Sequence, residues 1–237
     1  MLAAATGIAV DRSFRPSTLR RVNPSRFLAF GAWFVVAALP ATAQIVWNPT
    51  TDFSTTNGNP NGVWIYGWMD TGFAAFTPYT NHGTNNWYGW GGDQTPTVWL
   101  NANGSTAYGV PLGYLAIHPG SGDEPSVLRW TAPATFFNLA VTGQFLAGDI
   151  GTMQVTVFQN ATTNTLFSAT DAGSFSFNVN VNAGDTLNFA VFGGYFYGNT
   201  PLQVSLTSVP EPSVLALLGI GLAASVRARR SHRRPTA

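Results

Sequence analysis

The chain reads as an all-β protein: a two-sheet antiparallel β-sandwich held between two short apolar ends. Period-two alternation comes first, as in "SFSFNVNV", where Phe175, Phe177, Val179 and Val181 share one face and Ser and Asn the other. Turn clusters then separate such runs every eight to twelve residues or so, the spacing of a sandwich or barrel. Finally, no stretch between Gln44 and Thr207 holds a helical period for three turns. Composition agrees. Only 9% of residues are charged and 14% are aromatic, the reverse of a disordered chain, and Asn, Thr, Ser and Gly supply an uncharged polar surface.

The elements follow in order. Five arginines (Arg12, Arg15, Arg20, Arg21, Arg26) precede "FLAFGAWFVVAAL", a thirteen-residue apolar run from Phe27 to Leu39. "PATAQ" comes next, with Ala41 and Ala43 in the small-x-small pattern of a signal-peptidase site ahead of Gln44. Thirteen residues fall short of the ~20 that span a bilayer, so residues 1–43 are expected to be a cleaved secretory signal helix rather than an anchor. In the ectodomain, residues 44–207, Trp64, Tyr66 and Trp68 are spaced as the core face of a strand. "YLAIHPG", "VLRWTAP" and "FFNLAVTGQF" read as three more strands, with "GSGDEP" a loop between the first two. "MQVTVFQN" turns through "ATTNT" into "LFSAT"; "NAGD" turns "SFSFNVNV" into "TLNFAVF"; "LQVSLT" closes the sandwich.

Charge excludes one class of function. All eleven basic residues are arginine, and only Arg129 lies between Gln44 and Val209. One arginine against eight carboxylates leaves that segment at −7, with no basic face for phosphates, so no nucleic-acid partner is expected. With no cysteine there is no disulfide, thiolate metal site or cysteine nucleophile.

Catalytic material is sparse. His82 and His118 lack a second ligand at metal spacing, and His118, in "HPGSGDE", reads as a loop histidine facing water near Asp123 and Glu124. Asp93, Asp123, Asp149 and Asp185 each follow glycine, as turn residues do. With one glutamate in the ectodomain, a glycosidase-type acid pair is not expected, and the chain reads as a non-enzyme. No cofactor is expected either; the oxygen-rich loops suit a structural Ca²⁺ in ligand type alone, since no EF-hand loop occurs. The richest binding material is aromatic, between Asn61 and Asp93. "NNWYGWGG" is too glycine-rich for a clean strand, which makes Trp87, Tyr88 and Trp90 the candidate loop aromatics for a sugar ring. Loop packing is the competing reading for the same three.

Residues 208–237 carry the most specific signal. Pro210 and Pro212 exclude helix and keep an extended backbone around Glu211, flanked by Val209 and Ser213. Ser213 to Val226 is a fourteen-residue uncharged run, ~21 Å long as a helix against a ~30 Å hydrocarbon core. Arg227, Arg229, Arg230, Arg233 and Arg234 follow and hold the C-terminus on the cytoplasmic side. The segment resembles the PEP-CTERM sorting signal of Gram-negative bacteria, also called the ice-binding protein C-terminal domain, in which a Pro-Glu-Pro motif precedes a short transmembrane helix and a basic cluster. That resemblance implies an exosortase as processing partner. It also implies transient inner-membrane residence, then a periplasmic, cell-surface or matrix destination linked to exopolysaccharide and biofilm. The stretches "LAIHPGSGDEPSVLRWTAPA", "FNLAVTGQFLAGD" and "VNAGDTLNFAVFGG" are similar to bacterial surface ectodomains of the jelly-roll β-sandwich type, akin to carbohydrate-binding modules. The expectation is a jelly-roll-like sandwich on a non-enzymatic surface protein; the alternative is a carbohydrate-binding module, and an extracellular hydrolase ranks last.

Overall fold

Alternation becomes strand wherever the pattern is clear. The computed structural model describes residues 43–90 and 92–208. The first half holds β1 (Val46–Trp47), a short α1 (Pro49–Asp52), β2 (Trp64–Met69), β3 (Phe76–Pro78), β4 (Asn81–His82), β5 (Asn86–Trp90) and β6 (Thr95–Leu100). The second holds β7 (Leu115–His118), β8 (Ser126–Thr131), β9 (Phe136–Phe145), β10 (Gln154–Gln159), β11 (Thr165–Thr170), β12 (Gly173–Val181), β13 (Thr186–Phe192) and β14 (Thr200–Thr207). The signal helix and the C-terminal transmembrane helix expected from the sequence lie outside the described residues, as do Ala41 and the whole Pro-Glu-Pro motif.

Two antiparallel sheets result. One runs β12-β9-β14-β7-β6-β5-β4 with β1 beside β14, the other β11-β10-β13-β8-β2-β3. The last eight strands form one long ribbon: β7 pairs with β14, β8 with β13, β9 with β12 and β10 with β11. The ribbon is wound so that β9 also meets β14 and β10 meets β13. Within the ribbon, successive strands therefore change sheet except at the β10–β11 hairpin. This is a jelly roll.

The inner faces carry the alternation. Leu187, Phe189 and Val191 of β13 meet Phe175, Val179 and Val181 of β12 in one core with Trp64, Tyr66 and Trp130. Trp68, the third of the expected trio, is only partly buried and packs edge-on against Trp90 at 4.9 Å. On β13 the residues between are buried as well, so the strand departs from a half-buried pattern. Ala190 joins Met69, Val127 and Phe158 in a second cluster outside the six-stranded sheet, covered by Phe73 and Phe76. Arg129 lies 3.6 Å over the Phe76 ring and donates from Nε to Asn188 Oδ1 at 2.7 Å. Burial lowers its guanidinium to about 10, and it remains charged at neutral pH. The ectodomain's one arginine thus closes an apolar cover.

The two ends of the described chain meet. Ile45 N donates to Ser208 Oγ at 2.8 Å and Ser208 N to Ile45 O at 2.9 Å, beyond the Val46↔Thr207 pair. The sandwich is closed at Ser208, the residue before Val209.

Candidate functional site

β5 and β6 build the site, and β5 is a strand although its sequence reads as a loop. Gly89 sits between the pairs Tyr88↔Thr97 and Trp90↔Thr95, opposite Pro96. A Cβ at Gly89 would lie 3.0 Å from Pro96 Cδ, so the glycine admits the proline ring and the strand continues. Alternation from Gly89 turns Trp87 inward. Its ring is 4% exposed, stacks at 6.2 Å on Tyr66, and donates from Nε1 to Ser54 O at 2.8 Å. Trp87 belongs to the core instead of a ligand-facing loop, Tyr88 is half-buried on β5, and Trp90 is exposed against Trp68. The three are not gathered into one surface.

The residues that do converge lie on the outer face of the larger sheet. Trp87, Val98 and Ile117 are core residues paired across β5, β6 and β7, so their neighbours Asn86, Thr97, Trp99 and His118 point the other way. Those side chains floor a groove of about 490 Å³, walled by Asp93 and Gln94, by Asn103 and Tyr108, and by Tyr195 and Asn199. Trp99 donates from Nε1 to Asn199 Oδ1 at 2.9 Å, and its ring meets Tyr108 edge-on at 6.3 Å. Asn86 donates to Gln94 Oε1 at 2.8 Å, and the Tyr195 hydroxyl donates to Asp93 Oδ2. That hydrogen bond holds the Asp93 carboxyl below its ordinary range and raises the Tyr195 hydroxyl.

His118 departs from its expected place. It ends β7, is 8% exposed, and packs edge-on to Tyr195 at 5.4 Å, so it is neither a loop residue nor facing water. Nδ1 lies 2.7 Å from Pro119 O, which fixes the neutral ring as the Nδ1–H tautomer and leaves Nε2 as an acceptor. Burial lowers its pKa, opposed by that backbone bond and by Asp93 and Asp149. Asp123 instead accepts from Gly194 N at 2.8 Å, across to a distant loop, and Glu124 accepts from Gly122 N at 2.9 Å within its own turn. A buried neutral histidine makes folding sensitive to acid. The unfolded chain takes up the proton near pH 6.5, before the folded one does, so stability is full above about pH 7 and falls as pH drops through 6.5. Thermal melts between pH 7.5 and 5.5 are expected to show this slope, and H118N to flatten it.

Sequence reasoning missed Trp99, Tyr108 and Tyr195. A signal for Trp99 exists: "TPTVWL" alternates so that Trp99 shares a face with Thr95 and Thr97, an aromatic on a polar face. For Tyr108 and Tyr195 only glycine-flanked aromatics, "AYG" and "GGYFYG", hint at presentation in loops. Among the described residues no group of three or more His, Asp or Glu is placed to hold a metal ion, and no helix is long and apolar enough to cross a membrane.

Beyond the groove, the chain continues from the closed end at Ser208 into "VPEPSVLALLGIGLAASVRARR". Residues 208–234 match the PEP-CTERM protein-sorting motif. The match takes in Pro210, Glu211 and Pro212 and the five terminal arginines, the sorting signature of exported proteins that an exosortase processes. No curated protein matches the chain. Solved structures similar to parts of it include the Podospora anserina GH26-CBM35 β-(1,4)-mannanase, at 17% identity over 49% of this chain and 25% of that one, TM-score 0.30. CBM35 from Paenibacillus barcinonensis is 17% identical over 47% of this chain and 87% of that one, TM-score 0.28. A family 35 carbohydrate-binding module from Clostridium thermocellum is 15% identical over 40% and 78%, TM-score 0.27. The chain spans a quarter of the length of the first of these. At such TM-scores neither fold nor ligand follows from the likeness; the jelly roll rests on the strand pairing.

Proposed function

We propose that this PEP-CTERM protein is a non-enzymatic surface protein that holds polysaccharide of the surrounding matrix in the groove over β5, β6 and β7. Signal peptidase removes residues 1–43, the sandwich folds as the ectodomain 44–207, and an exosortase processes residues 208–237 at the membrane. The observation that carries the binding role is the groove's chemistry. Aromatic rings of Trp99, Tyr108 and Tyr195 stand beside amides of Asn86, Asn103 and Asn199. Flat apolar faces beside directional donors and acceptors suit a sugar, whose rings have apolar faces and hydroxyl edges. The binding role is thereby reassigned from Trp87, Tyr88 and Trp90 to these residues.

Hydrolysis is less well supported. A glycosidase needs two carboxyl groups flanking the scissile bond, and Asp93 is the one carboxylate lining this groove. It is held ionised by Tyr195, the wrong state for a general acid.

The test is binding of the full chain, purified in a detergent without a sugar headgroup, to an array of bacterial polysaccharides. Trp99→Ala is expected to lower affinity at least about tenfold, since it removes the floor of the groove and the partner of Asn199. Undiminished binding by the variant would overturn the assignment, as would glycan release by the wild type. The mature protein's mass reads both processing steps, with loss of residues 1–43 and of the arginine tail expected.

A further inference from the structure

Three loops meet beside the groove: residues 103–113, 146–152 and 193–199. Their glycines sit backbone against backbone. A Cβ on Gly109 would overlap the Gly148 carbonyl, one on Gly148 the Asn199 carbonyl, and one on Gly151 the carbonyls of Phe196 and Tyr197. Gly151 N donates to Tyr197 O at 3.1 Å and Asp149 N to Asn199 O at 3.1 Å. Tyr108 and Tyr197 are held at φ 50° and 58°, the left-handed region that bulky side chains avoid.

So constrained a cluster nevertheless points apolar side chains outward. Ile150 is 82% exposed, Phe196 77%, Tyr108 73% and Tyr197 57%. Apolar side chains gathered in one exposed place mark interaction sites, and backbone strain clusters where ligands are held. The surface is continuous with the groove, because Tyr108 and Tyr195 line it and the Tyr195 ring meets Phe196 edge-on at 5.2 Å.

Charge narrows the occupant. The groove lining contains no lysine or arginine, Asp93 is its ionised group and His118 is neutral. The whole segment from Gln44 to Val209 stands at −7. A uronate, sulfate or phosphate polymer would enter against that field with no cation to meet it.

We infer that the ligand is an uncharged polysaccharide chain bound along its length, one part in the Trp99 groove and the next across a ledge formed by Phe196, Tyr197 and Ile150. The inference rests on the reading of the groove as a glycan site, and it adds the charge class and the extended footprint. Phe196 is the ledge's stacking face and Trp99 the groove's. A short oligosaccharide fills the groove alone; a longer one gains the ledge.

Calorimetric titration of the full chain in sugar-free detergent tests this. The probes are β-1,4-linked di- to hexasaccharides of glucose, mannose and N-acetylglucosamine, with polygalacturonate as the anionic comparison. Affinity for at least one neutral series is expected to rise about tenfold or more from disaccharide to hexasaccharide, with polygalacturonate silent. Phe196→Ala should weaken the hexasaccharide about five- to tenfold, the scale of one aromatic face, and leave the disaccharide unchanged. Ile150→Ser should do the same to a smaller degree, and neither should move the melting temperature, since both side chains are exposed. Disaccharides and hexasaccharides bound alike, or equally weakened by Phe196→Ala, would overturn the ledge while leaving the groove reading intact. Polygalacturonate binding that fades with salt would overturn the charge class. No binding by any probe or on the polysaccharide array would overturn both readings.

Discussion

Trp130→Ala is expected to destabilise the sandwich by about 4 kcal/mol, the range for truncating a buried tryptophan. Trp130 is fully buried in β8, between Trp64 of β2 and Leu187 of β13 in the register of the smaller sheet. Its ring meets Trp47 edge-on at 5.4 Å, so it also supports β1 and the clasp of Ile45 on Ser208. Little can collapse into the space, because the residues around it are held by two sheets. For a domain of this size the change lowers the melting temperature by roughly 8–16 °C. Trp130→Phe separates packing from polarity. The indole Nε1 is buried with no hydrogen-bond partner among the described residues. Phenylalanine keeps most of the apolar contact and removes that orphaned donor, which itself costs about 1–3 kcal/mol. A loss of only about 1 kcal/mol is therefore expected, read by denaturant titration. A loss equal to that of alanine would mean that the indole makes a hydrogen bond after all.

The same local physics decides what could be read in advance. β12 and most of β14 were legible because each turns one face to the core and the other away from it, so alternation of apolar against polar residues follows directly from burial. Asp185 marks its turn, accepting from Asn182 N at 2.8 Å. β5 and the outer face of β13 were opaque. In β5 the glycine that looks like a breaker is the partner a cross-strand proline requires, and this is visible only once Gly89 faces Pro96. On β13, Asn188 and Ala190 merely alternate with Leu187, Phe189 and Val191, yet residues 73 and 76, over a hundred positions away, cover that side.

The groove was less legible still. Trp99 and Asn199 are a hundred residues apart and meet only because β14 returns beside β7 in the wound ribbon. His118 looks like a loop residue beside Pro119, but pairing with Thr97 draws it into the sheet, and Tyr195 then covers it. Sequence spacing shows residues that share a strand face. It does not show which loops a jelly roll brings to one edge. The sorting motif was legible for the opposite reason: Pro-Glu-Pro, apolar run and arginines act in linear order, so no tertiary folding intervenes between sequence and meaning.

Gly148→Ala is expected to damage stability and binding together. Gly148 lies between the other two loops: its carbonyl is the group that a Cβ on Gly109 would strike, and its own Cβ would fall on the Asn199 carbonyl and 2.6 Å from Pro201 Cδ. None of these neighbours is a flexible side-chain end. One must shift, and overpacking of this kind costs about 1–3 kcal/mol. Asn199 is the residue that moves most directly, and it holds Trp99 Nε1 at 2.9 Å, so the groove floor loses its anchor as well. Pro201 carries the displacement into β14, opposite Ala116. The expected result is a melting temperature lower by roughly 2–12 °C and weaker binding of any glycan that wild type binds. Gly104→Ala is the control for left-handed glycine in the same loop region, since it stands at φ +80° with nothing within 4 Å of the added methyl. It bears the backbone penalty alone, about 1 kcal/mol, and leaves the three-loop contact in place. If Gly148→Ala resembles Gly104→Ala in both measurements, backbone contact is not what positions the loops, and the rigidity of the groove wall must come from its side chains.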